Sequence, residues 1–263
     1  MLDIFQTLFA PPRHLIFPLV ASWIGIYLSE RRARQRGGNA EALGNLIFYG
    51  LLGWVLGGRL LYAAGHLPVF LQAPASLVSP NAGLFDPLGA AATGILSALI
   101  YGRRHKMAFW QTMDSLTPFF AVLAVGVGLS HLAAGTAFGK PADLPWAVDE
   151  WGARRHPTQI YETLAALIIV TIVLLQRSTR PGLQFLIFAA LSAAARIFLE
   201  AFRGDSQLLG WGIRLPQLVA WLVLLASFVL LERRLDRHSP PSSPPRPSVL
   251  GGKPIIDDLD SRV

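Results

Sequence analysis

Seven apolar stretches, separated by polar and basic segments, dominate the pattern along the chain. A helix that crosses a bilayer needs about 20 apolar residues, and most of the stretches come close to that length. The first is short, and we expect it either to begin near Ile4 with a break at Pro11 and Pro12 or to cross obliquely. The pattern predicts seven transmembrane helices, at Leu15–Leu28, Leu43–Gly65, Phe85–Tyr101, Thr112–Ala133, Thr158–Leu175, Gly182–Leu199 and Trp211–Leu231.

Composition supports a membrane bundle over a soluble domain. Of the 263 residues, 52% are hydrophobic and 15% are charged, whereas soluble domains carry about 25% charged residues. The predicted fold class is all-α, a polytopic bundle of seven transmembrane helices formed by residues 1–238. Residues 239–263 begin with a run of proline and serine that cannot bury a core, which predicts a disordered cytoplasmic tail. The absence of cysteine excludes disulfides, thiolate metal sites and a cysteine nucleophile in this chain.

The net charge of +7 is concentrated in short clusters between the apolar stretches. Basic clusters follow the first, third, fifth and seventh stretches and hold 12 of the 23 lysines and arginines. Because short basic loops stay in the cytoplasm, the N-terminus is predicted to lie outside and the C-terminus inside. The basic residues form no continuous face, so no nucleic-acid partner is expected. The long loops His66–Leu84 and Ala134–Pro157 then face outward, and the second is expected to hold short amphipathic or strand-like pieces.

Ionisable residues inside apolar stretches are costly, so they are candidates for function. In the predicted orientation they lie in the outer half of the membrane, which disfavours a transporter. They are Arg59, His131, Glu162, Arg196 and Glu200, with Asp86 and Arg203 at the ends of their stretches. The surplus of arginine favours a phosphodiester ligand, because a planar guanidinium matches phosphate oxygens. The alternative is that these groups form ion pairs that only fix helix packing.

Several motifs resemble those of the prolipoprotein diacylglyceryl transferase family. The segment Arg155–Glu162 reads Arg-His-Pro-Thr-Gln-Ile-Tyr-Glu, close to the family's Arg-His-Pro-Ser-Gln-Leu-Tyr-Glu. Gly57–Tyr62 resembles the family's Gly-(Gly/Ala)-Arg-x-x-Tyr, and Arg196–Arg203 resembles its Arg-x-x-x-Glu-x-x-Arg. The loop Gly139–Trp146 and Gln217 also fit the family pattern.

This resemblance implies an enzyme of the bacterial inner membrane that uses no metal or other cofactor. It would transfer a diacylglyceryl group from phosphatidylglycerol, a membrane lipid, to the lipobox cysteine thiol of a prolipoprotein signal peptide. Arg203 and His131 are the predicted catalytic residues. The predicted substrate-binding residues are Arg59, Tyr62, His156, Gln159, Tyr161, Glu162, Arg196 and Glu200.

Two features of the family pattern are missing from this chain. The stretch Gly83–Gly89 contains no counterpart of the histidine in the family's His-Gly-Gly motif. An arginine and a glutamate of the family's fourth span fall on Gly128 and Thr136. His131 is then the candidate for a relocated base, oriented by Asp86, or else a packing histidine. The second functional hypothesis is a divergent, non-catalytic paralogue that binds lipid or lipoprotein.

Overall fold

The computed structural model describes residues 2–79, 81, 83–176, 180–206 and 214–236. These ranges contain short 3-10 turns at Arg13–Leu15 and Pro74–Val78 and two strands, β1 Val148–Glu150 and β2 Ala153–Arg155. They also contain the helices α1 Leu2–Leu8, α2 Ile16–Gln35, α3 Ala40–Gly65, α4 Leu67–Gln72, α5 Pro87–Arg104, α6 Phe109–Ala134, α7 Thr158–Leu175, α8 Leu183–Glu200 and α9 Leu215–Asp236. The predicted tail, residues 239–263, and the predicted start of the last span at Trp211 lie outside the described residues.

Five of these helices, α3 and α6 to α9, are long and apolar enough to cross a membrane. The other two predicted spans correspond to α2 and α5. Helix α2 ends in a run of charged residues from Glu30 to Arg34, and α5 combines many small residues with two arginines at its end. Both helices therefore have fewer purely apolar turns than the other five. The predicted break at Pro11 and Pro12 is present between α1 and α2.

Glycines allow neighbouring helices of the described residues to approach each other closely. A Cβ at Gly57 of α3 would overlap the side chain of Thr93 in α5, whose hydroxyl donates to the carbonyl oxygen of Gly53 at 2.9 Å. Helix α2 packs on α6, where a Cβ at Gly126 would overlap Ala21. Helix α7 also packs on α6, and α8 packs on α9. These contacts assemble the helices that carry the ionisable residues side by side.

A β-hairpin interrupts the chain between α6 and α7. Strands β1 and β2 pair antiparallel, and their two-residue turn has positive φ at Trp151 and Gly152. The expectation of strand-like pieces in this long loop is confirmed. We call the end of the bundle that carries this β-hairpin the hairpin end.

Asp114, near the opposite end of α6, is a buried ionisable group in the half of the membrane where almost none was expected. Its side chain is 1% exposed and accepts hydrogen bonds from the backbone N–H groups of Gly182 at 2.7 Å and Phe185 at 3.0 Å. Arg36 lies 3.4 Å from the same carboxylate. Asp114 therefore caps the start of α8 from a different helix, a role that local sequence patterns do not reveal.

Candidate functional site

A series of ionisable side chains runs across the hairpin end from α6 to α8. Nδ1 of His131 lies 3.0 Å from Oε2 of Glu162. The other oxygen of Glu162 lies 4.0 Å from a terminal nitrogen of Arg196, and Nε of Arg196 lies 3.2 Å from Oε2 of Glu200. Four of the predicted site residues thus form one connected cluster. Within it, Glu162 lies between the imidazole of His131 and the guanidinium of Arg196.

Asp86 is not the partner of His131, so the expected orientation of His131 by Asp86 is wrong. The carboxylate of Asp86 accepts a hydrogen bond from the N–H of Gly89 at 2.8 Å and caps α5. The prediction placed both residues at the same membrane depth without knowing which helices are neighbours. Helix α5 packs on α3, whereas α7 packs on α6 and brings Glu162 to His131.

Glu200 is fully buried at the end of α8, and two elements hold it in place. Arg196 contacts one carboxylate oxygen, and the hydroxyl of Ser206 donates to the other. Arg214, immediately before α9, donates to the carbonyl oxygens of Glu200 and of Arg203, the latter at 3.0 Å. The last carbonyl oxygens of a helix have no hydrogen-bond donor within the helix, and Arg214 supplies a donor for that of Glu200. Nothing in the sequence links this arginine to the end of α8.

Arg203 is held at the end of α8 by its own loop and by the loop after α6. Its guanidinium makes a two-point ion pair with Asp205, with both hydrogen bonds at 3.0 Å. The N–H of Gly204 donates to the carbonyl oxygen of Phe138 at 2.9 Å, and the N–H of Lys140 donates to that of Phe202 at 2.8 Å. These backbone contacts fix the main chain on both sides of Arg203, and Asp205 holds its guanidinium.

A cavity of about 310 Å³ lies between α6, α7 and α8. Glu162, Arg196 and Arg203 line its charged part. Most of the remaining wall is apolar, and it includes Phe120, Ile169 and Phe188. A cavity with apolar walls and a cluster of two arginines is suited to an amphiphile with an anionic head group.

Gln159 belongs to the signature segment, but its contacts are with the β-hairpin. The side chain is fully buried, and Nε2 donates to the two carboxylate oxygens of Glu150 at 3.2 and 3.1 Å. Gln6 of α1 donates to the same carboxylate at 3.0 Å. Gln159 therefore joins α7 to β1 and, through Glu150, to α1. The buried role of Glu150 was not predicted, because its sequence context shows only an acidic pair before a Trp-Gly turn.

His156 and Tyr161 form an aromatic cluster beside the end of α8. The ring of His156 lies 5.1 Å from that of Phe202 and 6.2 Å from that of Tyr161. The hydroxyl of Tyr161 accepts a hydrogen bond from Nε1 of Trp146 at 2.7 Å. The cluster supports the loop around the cavity, and neither His156 nor Tyr161 lines the cavity itself.

Arg59 and Tyr62 lie on α3, and neither lines the cavity. Arg59 donates to the carbonyl oxygen of Leu84 at 2.8 Å and to that of Ser79. Tyr62 stacks on His66 with ring centroids 4.2 Å apart. The structure therefore places these two predicted substrate-binding residues at the loop before α5 and does not join them to the cluster on α6 to α8.

Residues 14–233 match the sequence model of a family described as prolipoprotein diacylglyceryl transferase. The chain belongs to this family. Its relatives include proteins named phosphatidylglycerol–prolipoprotein diacylglyceryl transferase from Bordetella avium, Chromohalobacter salexigens and Thermosynechococcus vestitus. The first is 31% identical, over 88% of this chain and 97% of the relative. The second is 32% identical, over 73% of this chain and 73% of the relative. The third is 28% identical, over 78% of this chain and 81% of the relative.

Membership of the prolipoprotein diacylglyceryl transferase family confirms the resemblance seen in the motifs. Together with the five apolar helices, it makes this chain a bacterial membrane protein. The match includes every predicted site residue, from Arg59 to Arg203.

The close packing of α6 on α7 depends on Gly128. The motif resemblance predicts that an arginine of the family pattern falls on this position. A Cβ at Gly128 would lie 2.6 Å from Oγ1 of Thr163 and 3.2 Å from its backbone nitrogen. A larger side chain would therefore separate the two helices at the turn that carries Glu162. Glycine permits the close approach that brings Glu162 to His131.

Proposed function

We propose that the protein transfers a diacylglyceryl group from phosphatidylglycerol to the lipobox cysteine thiol of prolipoprotein signal peptides. Family membership supports the reaction, and relatives named for it match most of the chain. The observation in the structure that carries the proposal is the cavity between α6, α7 and α8, whose apolar walls meet Arg196 and Arg203. An apolar wall suits acyl chains, and the arginines suit the phosphodiester.

Arg196 and Arg203 stabilise the negative charge that develops on the leaving phosphate. The C–O bond between the diacylglyceryl group and the phosphate breaks, and glycerol phosphate leaves with the bonding electrons. Guanidinium groups that are fixed before the reaction stabilise this charge without reorganising. Glu162 and Glu200 orient Arg196, and Asp205 orients Arg203.

His131 accepts the proton of the acceptor thiol, because the thiolate is the nucleophile. Its Nδ1 lies at hydrogen-bond distance from Glu162, which leaves Nε2 for the thiol proton. A base whose second nitrogen is fixed by a carboxylate is a recurrent arrangement in nucleophilic catalysis. His131 thus takes the place of the histidine that the stretch Gly83–Gly89 lacks.

The remaining predicted residues bind substrate through the loops that they hold. Gln159, His156 and Tyr161 fix the hairpin and the loop beside Arg203, where the signal peptide approaches. Arg59 and Tyr62 hold the loop before α5 and form a second contact region for the lipid head group.

We further propose that α2 and α5 join the five apolar helices as a bundle of seven spans in the inner membrane. The N-terminus lies outside, and the C-terminus with the tail from residue 239 lies in the cytoplasm, because basic clusters follow alternate spans. Since the chain has no cysteine, single cysteines can map this orientation. Cysteines at Arg34, Arg103 and Arg234 should resist a membrane-impermeant thiol reagent in whole cells, and one at Ala142 should react. The opposite labelling pattern contradicts the orientation.

Complementation tests the proposed function in cells. The wild-type chain should restore growth to a strain depleted of its own diacylglyceryl transferase. Arg203→Ala and His131→Ala should fail to do so at equal membrane abundance, and the exposed Arg233→Ala of α9 is the matched control. Failure of the wild type at normal abundance would favour the non-catalytic lipid- or lipoprotein-binding alternative.

A further inference from the structure

The loop that follows α6 contains a residue in a strained backbone conformation at the wall of the cavity. Ala137 has a φ of 59°, in the left-handed region that residues other than glycine rarely adopt. It is buried, and it lines the cavity between α6, α7 and α8. The left-handed conformation is disfavoured about 5- to 30-fold for an alanine. The contacts around Ala137 must therefore hold it in place.

Two side chains at the start of α7 hold this strained loop. The hydroxyl of Thr158 donates to the carbonyl oxygen of Ala137 at 2.6 Å, and both residues are buried. Nε2 of Gln159 donates to the preceding carbonyl oxygen, that of Thr136, at 3.1 Å. A hydrogen bond between neutral groups contributes about a fivefold preference, which is comparable to the cost of the left-handed alanine. The Thr158 hydroxyl thus offsets much of the strain at Ala137.

The strained loop leads directly into the segment that pairs with the backbone around Arg203. The carbonyl oxygen of Phe138 accepts a hydrogen bond from the N–H of Gly204 at 2.9 Å. Gly139 forms an antiparallel bridge with Arg203 itself. Ala137 and Arg203 line the same cavity. A change in the conformation of Ala137 would therefore move the segment against which Arg203 is placed.

We propose that Thr158 is a positioning residue for phosphatidylglycerol, which acts through Ala137 on Arg203. This inference rests on the proposed function, because it takes Arg203 as the ligand of the phosphodiester. Without the hydroxyl, Ala137 relaxes toward negative φ, and the segment 138–140 shifts together with Arg203. Only the fraction of molecules that keeps the strained loop then binds the head group, and the apparent affinity falls by that fraction.

The test measures transfer to a lipobox peptide by the purified full-length protein, in phosphatidylcholine vesicles with increasing phosphatidylglycerol. Thr158→Val keeps the shape of the side chain and removes the hydroxyl, so the KM for phosphatidylglycerol should rise about fivefold. Thr158→Ser keeps the hydroxyl and should have nearly the wild-type KM. The matched control is Thr171→Val in the same helix, whose hydroxyl donates to the carbonyl oxygen of Leu167 at 2.9 Å. It should leave KM and kcat unchanged.

A second substitution tests whether the effect of Thr158 passes through the strain at Ala137. Glycine adopts the left-handed conformation without the steric cost that a Cβ imposes. Adding Ala137→Gly to Thr158→Val should therefore lower the KM for phosphatidylglycerol back toward the wild-type value. If Thr158 only stabilised the fold, Thr158→Val would lower the amount of active protein and hence the apparent kcat, and the KM would stay the same.

Two results would overturn the proposal. One is an unchanged KM for phosphatidylglycerol in Thr158→Val, and the other is a raised KM that Ala137→Gly does not lower. A wild type that transfers nothing would instead refute the proposed function. In that case native mass spectrometry of phosphatidylglycerol bound to the protein in detergent still tests the positioning role. Binding should weaken in Thr158→Val and recover in the double variant, and equal binding by the three proteins refutes that role.

Discussion

Arg214 offers a direct test of how the end of α8 is organised. Its guanidinium donates to the carbonyl oxygens of Glu200 and Arg203 and to the Ser206 hydroxyl, the last two at 3.0 and 3.2 Å. A hydrogen bond from a charged donor contributes about 1.5–3 kcal/mol when its partner is buried. Because Arg214 is only partly buried and its contacts share one side chain, we expect Arg214→Ala to cost about 2–3 kcal/mol in total.

Arg214→Ala should also weaken the binding of phosphatidylglycerol, in addition to lowering the stability of the protein. Loss of the Arg214 contacts frees the segment that positions Arg203, so the KM for phosphatidylglycerol should rise in Arg214→Ala. Arg214→Lys should recover part of both effects, since all three hydrogen bonds come from one terminal nitrogen of Arg214, and the lysine ammonium offers donors to the same acceptors from a side chain of different length and shape. The free energy of unfolding is measured by denaturant titration in detergent, with the exposed Arg233→Ala of α9 as the control. Equal stability and equal KM in Arg214→Ala and Arg233→Ala would refute this account of the site.

Three further predictions concern buried polar groups. Asp114→Asn should destabilise the protein by about 3 kcal/mol, as measured by denaturant titration, because it removes the charge that pairs with Arg36 and caps α8. Glu150→Gln should lower the melting temperature, because an amide cannot accept from Gln159 through both of its heteroatoms; an unchanged value contradicts the buried network. Burial lowers the pKa of His14, in the turn before α2, so the unfolded chain binds more protons and stability should fall as the pH drops below about 6.5. In His14→Gln this fall should be smaller, which a comparison of unfolding at pH 7 and pH 5.5 checks.

The sequence predicts the helices better than it predicts their neighbours. Helix α7 has the predicted bounds, because Pro157 precedes a long apolar run that begins at Thr158. The spacing of Arg196 and Glu200 predicts one face of α8, and an ion pair joins the two residues. The expectation that Arg203 continues this face is wrong, because α8 ends at Glu200. Local periodicity is sufficient for such features, because it depends only on residues within one helix.

Contacts between distant segments could not be predicted in this way. Asp86 was predicted to orient His131 because both residues were placed at the same membrane depth. The packing of α6 on α7 instead brings Glu162 into contact with His131. Asp114 and Arg214 act on α8 from α6 and from the start of α9, across about 70 and 14 residues of sequence. Their roles depend on which helices are adjacent, and a single sequence carries no periodic signal for that.

The central claim is that the cavity between α6, α7 and α8 holds a phospholipid whose diacylglyceryl group is transferred to a thiol. The most direct measurement is mass spectrometry of a lipobox peptide after incubation with purified protein and phosphatidylglycerol vesicles. The account predicts a diacylglyceryl thioether on the cysteine and an equal amount of glycerol phosphate, both lost in Arg203→Ala. Absence of the thioether with the wild-type protein, or its undiminished formation by Arg203→Ala, would contradict the account.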